Sequence, residues 1–283
     1  MTEPSYRPRR REGEDTPVRP PLTERIRRML TPPPGPEPAA PAHSPPGAAP
    51  VTPSAAVSEW RPSSGWSLAE MFAVLAVTVL VTIVENTLLG SDAVTSLSVS
   101  GRMITRGAVV LVYYAILLAF VWWLTARRHR SFTAAVGLRP FEWGRSLLLV
   151  LVALVAVRVA EFAYAFFVPA PDVDLTRLFG ASATGILVSI VLWGLVAPFV
   201  EEVVFRGVVL GALSDLMPAW AAVTISACLF ASVHFSAYLF VPFVVAGVAL
   251  AIVARRTGSL WPAVMLHSLY NLSSVLLAYV LHR

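Results

Sequence analysis

Two adjacent carboxylates, Glu201 and Glu202, sit inside a long apolar run and are followed by Arg206. Neighbours on a helix point about 100° apart, so the two acids cannot share one job. Glu202 and Arg206 are four apart with the acid first, the favourable order for an ion pair along one helix face. Glu202 therefore carries an internal counterion and reads as structural support for the helix. Glu201 has no cation on its own helix. A carboxylate desolvated without a cation holds its proton more tightly, the condition of a general base working near neutral pH.

Further along, His234 follows Phe230 by one helical turn, in Phe-Ala-Ser-Val-His. A lone histidine in an apolar helix is more often a packing residue than a catalytic one. His267 and Asn271, in His-Ser-Leu-Tyr-Asn, are four apart and stack on one face. Two such side chains aimed at one spot suit the oxyanion of a tetrahedral intermediate; the alternative is an interhelical polar clamp. Two other polar sites need less chemistry. Glu85 and Asn86 read as an interfacial cap or a bundle contact, and Arg158 with Glu161 reads as a packing ion pair. The single cysteine, Cys228, can form no intramolecular disulfide and no cysteine-based zinc site.

The elements that must position these residues follow from composition. Of 283 residues, 56% are hydrophobic and only 14% charged, with a mean hydropathy of +0.68. Soluble domains carry about 25% charged residues, so a secreted or cytosolic globular protein is excluded. Apolar runs at about 67–89, 107–126, 147–168, 183–213, 218–234, 237–254 and 260–281 do not alternate in polarity, which excludes a transmembrane barrel. The expected fold is all-α: a polytopic transmembrane helical bundle of seven crossings, or eight if the fourth run breaks at Pro198. A charge at mid-bilayer costs roughly 2.5–3.5 kcal/mol, so each charge above needs a partner or a function.

Every basic charge outside histidine is an arginine, and the arginines sit beside the apolar runs. The pI near 9.9 therefore reflects the positive-inside rule rather than nucleic-acid binding. Arg127, Arg128, Arg130, Arg139 and Arg145 crowd one loop, and Arg255 and Arg256 another; Arg102, Arg106 and Arg177 fall on the opposite side. This sets the N-terminal tail and both arginine-rich loops in the cytoplasm. Residues 1–64 hold most of the 23 prolines and read as a disordered proline-rich tail, leaving 65–283 as the membrane-embedded domain. One conflict arises. If every run crosses straight, Glu201 and His267 lie nearer the cytoplasmic side and His234 nearer the other.

Glu201-Glu202-x-x-x-Arg206, Phe230-x-x-x-His234 and His267-x-x-x-Asn271, in this order, resemble the three-motif signature of the CAAX proteases and bacteriocin-processing enzymes, the CPBP or Abi family of intramembrane proteases. The resemblance covers about 183–281. It implies an intramembrane endopeptidase acting on a peptide or protein substrate at the lipid bilayer, with Glu201 activating water, His234 helping to hold it, and His267 with Asn271 stabilising the oxyanion. Glu202 and Arg206 would fix the helix. Bacterial members process membrane peptides, which points to a bacterial plasma membrane. No cofactor is favoured, although zinc held by Glu201, His234 and His267 is the alternative: a His₂Glu set with water in the fourth position is a known catalytic arrangement. Two other readings stand beside the protease: a non-catalytic immunity or scaffold protein retaining the motifs, and a proton-coupled transporter. Intact motifs argue against the first, and the lack of internal repeats against the second.

Overall fold

The computed structural model describes residues 65–128, 131–169 and 182–281. The expected disordered tail, 1–64, lies outside these residues, as do Arg130 and Arg177. All regular structure among the described residues is helical, in agreement with the expected all-α fold.

Helix α1, Leu68–Leu89, begins where Ser67 and Glu70 cap each other reciprocally: each backbone N–H donates to the other's side chain. Glu70 also pairs with Arg128 at 2.9 Å, and Arg128 donates to Gly65 O, so the start of α1 is tied to the end of α3. A short α2, Asp92–Thr95, leads to α3, Val99–Ala126, which begins eight residues before the apolar run because Ser98 caps it at Gly101 N–H. Next comes α4, Phe132–Val136, a single tight coil closed by Gly137 at φ 83°, a conformation that favours glycine. It is followed by α5, Trp143–Phe167.

The central element is α6, Ala183–Ser214, 32 residues long. It does not break at Pro198. Instead it passes through two wide π stretches, Leu192–Val196 and Val203–Val209, on either side of the segment Ala197–Glu202. The remaining helices are α7, Ala219–Ser232; α8, Ala237–Thr257; and α9, Trp261–Leu281. Among the described residues six helices, α1, α3, α5, α6, α8 and α9, are long and apolar enough to cross a membrane. Their outward faces carry exposed Trp122, Val152, Phe162 and Phe166, apolar surface that suits lipid rather than water. The chain is an integral membrane protein.

The fifth apolar run differs from the rest. α7 has 14 residues, about 21 Å of rise against a hydrocarbon core of about 30 Å. It ends part-way through the bundle, and His234 lies in the turn beyond it. That disposes of the depth conflict: the helix is too short to carry His234 to the far side. α7 and α8 then pack as a close hairpin, since a Cβ on Gly247 would lie 2.9 Å from Ala227 Cβ. At the core of the bundle, every residue from Val203 to Val209 is buried.

Candidate active site

The site is built around α6, and its geometry begins with Pro198. In the first π stretch, Ala197 N–H donates five residues back, to Leu192 O. The next bond in that register would run from residue 198 to Trp193 O, but proline has no N–H to give. Asn271 fills the gap from α9: its Nδ2 donates to Trp193 O at 2.8 Å. Asn271 is therefore an interhelical clamp, as one of its two readings expected, and one of its amide hydrogens remains for other work.

Glu202 and Arg206 form the expected ion pair, 2.7 Å apart and both fully buried. Arg206 also donates to Gly247 O on α8 at 3.1 Å and lies 4.5 Å over the Phe230 ring. The same oxygen of Glu202 accepts a second bond, from His267 Nδ1 at 2.9 Å. A carboxylate can only accept, so Nδ1 carries a proton, and Nε2 is the ring nitrogen turned toward the site. Glu202 thus orients a histidine as well as steadying its own helix. Motif spacing could not show this link, because 65 residues separate the partners.

Glu201 points away from this pair, as the 100° offset requires. Its Oε2 faces His267 Nε2 at 3.7 Å, and its Oε1 accepts a hydrogen bond from Tyr114 OH at 2.8 Å. Tyr114 comes from α3, where no motif was found. His234 Nδ1 donates to Phe230 O at 2.8 Å, leaving Nε2 as its second nitrogen. The Phe230-x-x-x-His234 spacing therefore has a direct physical reading: the phenylalanine's carbonyl sets the histidine's tautomer, and its ring stacks edge-on 5.0 Å away.

All four residues singled out for chemistry, Glu201, His234, His267 and Asn271, line one cavity of about 360 Å³, within the range of small-ligand sites. Its other walls are apolar, including Val157, Leu239, Phe243 and Leu250. At its edge, Arg158 and Glu161 pair as expected; Arg158 also donates to Ser274 Oγ and to the carbonyl of Tyr270, whose ring it covers at 4.0 Å. Glu85 and Asn86 do not cap α1, which ends at Gly90; they line a second, smaller cavity.

The zinc alternative was posed on Glu201, His234 and His267. Among the described residues, no three His, Cys, Asp or Glu side chains are grouped so as to hold a metal ion. One Glu201 oxygen is already bonded to Tyr114.

Residues 175–273 match the family model described as type II CAAX prenyl endopeptidase Rce1-like. The match spans all three motifs and agrees with the CAAX-protease resemblance drawn from them. No curated protein and no solved structure matches the chain. The family match and the membrane-embedded helical bundle together support an intramembrane protease.

Proposed function

We propose that this chain, a CAAX-protease relative over residues 175–273, hydrolyses peptide bonds with water activated by Glu201 and without a metal. The observation that supports it is the gathering of Glu201, His234, His267 and Asn271 around one cavity inside the bundle. The peptide lies along the apolar wall, with its scissile carbonyl near Asn271. Water sits between Glu201 and His234 Nε2. Glu201 takes a proton as the water oxygen bonds to the carbonyl carbon, and the carbonyl oxygen becomes an oxyanion. The free amide hydrogen of Asn271, and His267 Nε2–H in the imidazolium form, donate to that oxyanion. When the C–N bond breaks, the proton on Glu201 passes to the leaving amine. Tyr114 and Glu202 are positioning residues, the first for Glu201 and the second for His267.

The substrate class is a peptide or protein segment presented at the bilayer. Arginine counts support a cytoplasmic side for the loop containing α4 and the α8–α9 turn. His267 is six residues into α9 from that end, about 9 Å of helical rise, and Glu201 is 13 residues from the same-side end of α6, about 20 Å, so the bond is cut below the surface, inside the bundle. The test is cleavage of a reporter peptide library by detergent-purified wild type and Glu201→Gln, each with and without a strong chelator. The expected result is activity in wild type under both conditions and a loss of about 10²–10⁴ in the variant. Loss of activity on chelation would return the zinc reading, and full activity in Glu201→Gln would end the catalytic claim. A wild type that cleaves no peptide would favour the scaffold reading.

A further inference from the structure

The smaller cavity, about 170 Å³, is walled by Thr78, Thr82, Glu85 and Asn86 of α1, by Tyr113 of α3, and by Val204 and Phe205 of α6. The four α1 residues are spaced i, i+4, i+7 and i+8, so they form one polar stripe on an otherwise apolar helix. Three residues, Tyr114, Glu201 and His234, line both this cavity and the larger one. The two cavities thus meet at the base and at the histidine proposed to hold its water, one side apolar and the other polar.

The polar wall is suited to water in detail. Thr78 and Thr82 spend their hydroxyl protons on carbonyls one turn back, Val74 O and Thr78 O, at 2.8 Å each, which leaves oxygen lone pairs to accept. Tyr113 OH lies 3.2 Å from Thr82 Oγ1. Asn86 Nδ2 is held by Thr82 O, which leaves its carbonyl oxygen. Glu85 makes no hydrogen bond or ion pair among the described residues, and its half-buried carboxylate faces the cavity. A water needs about 10–15 Å³ of such space and two to four polar partners, so the cavity has room for several. It runs from buried Thr78 to exposed Asn86, about 12 Å along the helix.

Hydrolysis in a bilayer must supply water to a centre that the substrate itself covers. A peptide seated in the apolar cavity displaces whatever water was there. From this arrangement we infer that the Thr78–Thr82–Glu85–Asn86 cavity is the path by which water reaches Glu201, separate from the cavity that takes the peptide. The inference rests on the hydrolytic reading above. Tyr114, which lines both cavities and bonds to Glu201, stands at the partition between them.

The test narrows the path without touching the peptide cavity. In the purified full-length protein, Thr82→Leu should lower kcat at least about tenfold with KM held within about twofold, and Thr82→Ser should keep activity. Separately, Thr82→Cys in a Cys228→Ala background should react with the small water-soluble reagent methanethiosulfonate ethylammonium, and the modification should suppress kcat. That second experiment needs no bulky substitution and stands even if Thr82→Leu fails to fold. An unchanged kcat in Thr82→Leu, or a thiol at position 82 that the reagent does not reach, would overturn the water path while leaving the protease intact. Activity in Glu201→Gln, measured in parallel, would overturn both.

Discussion

Replacing Glu202 with glutamine changes almost nothing in shape and removes one charge. The carboxylate and Arg206 are 2.7 Å apart with no exposed surface. At an effective dielectric near 20 their attraction is about 6 kcal/mol. Removing one partner strands the other, and such losses measure about 3–5 kcal/mol. Glutamine still offers His267 Nδ1 an acceptor, so the histidine keeps its orientation while Arg206 loses its counterion. The pair is also imperfectly satisfied, since among the described residues Glu202 Oε2 and Arg206 Nε have no hydrogen-bond partner. Removing both charges should therefore be tolerated far better than removing one. Glu202→Gln is expected to be destabilised by about 3–5 kcal/mol, and Glu202→Gln with Arg206→Met by clearly less than either single change. The assay is unfolding of the purified protein by a denaturing detergent in mixed micelles, followed through the fluorescence of its eight tryptophans. Cleavage per folded molecule should fall less in Glu202→Gln than in Glu202→Leu, which also releases His267. A Glu202→Gln protein within about 1 kcal/mol of wild type, or a double variant that merely adds the single losses, would refute the reasoning.

Three further outcomes follow from the same geometry. Asn271→Leu should lower kcat by about 10²–10³ if the amide serves the oxyanion, and should also cost about 1–3 kcal/mol because Trp193 O is left without its donor; rates and unfolding measured together separate the two. Tyr114→Phe should lower kcat with KM unchanged, by no more than the about 1.5–3 kcal/mol that a hydrogen bond to a charged group is worth; an unaltered kcat would reduce Tyr114 to packing. Gly247→Ala should destabilise the α7–α8 hairpin by about 1–3 kcal/mol, because the new methyl meets Ala227 Cβ at 2.9 Å and its Cα at 3.0 Å, and Ala227→Gly in the same chain should recover only part of the unfolding midpoint.

The apolar runs showed the helices because a membrane span must be continuous in lipid-compatible residues, and that pattern is local. The division of labour between Glu201 and Glu202 was equally local, a matter of a 100° offset and one cation four residues on. What stayed hidden is what depends on contacts between distant segments. Tyr114 lies 87 residues from the carboxylate it bonds, on a helix without a motif, and a tyrosine in an apolar run carries no signal of its own. The second role of Glu202 needs α9 in place to be seen. Glu85 and Asn86 read equally as a cap or a bundle contact because they lie near the end of their run. The i, i+4, i+7, i+8 stripe with Thr78 and Thr82 was the available clue that they line a cavity between helices. Helix α7 misled for a different reason: its run is apolar to His234, but the helix stops at Ser232, and Phe235 turns the chain at φ 49°.

The two π stretches explain how three motifs on separate helices are held in one register. A regular α-helix satisfies its own carbonyls and gives its neighbours only side chains to pack against. In each wide stretch of α6, one main-chain carbonyl is bonded from a neighbouring helix. Trp193 O receives Asn271 of α9, and Phe205 O receives Ser226 of α7 at 3.1 Å. α9 is the helix that carries His267, and α7 is the helix whose end places His234. The bulges therefore fasten α6 to the two helices that bring the histidines, one on each side of Glu201 and Glu202. Each bond is worth about 0.5–1.5 kcal/mol net, yet leaving its buried carbonyl or donor alone costs about 1–3 kcal/mol. Sliding either helix by one residue would break its bond inside a dry core. The irregular backbone, which in a purely structural helix would be a defect, fixes the distance between Glu201 and the two histidines.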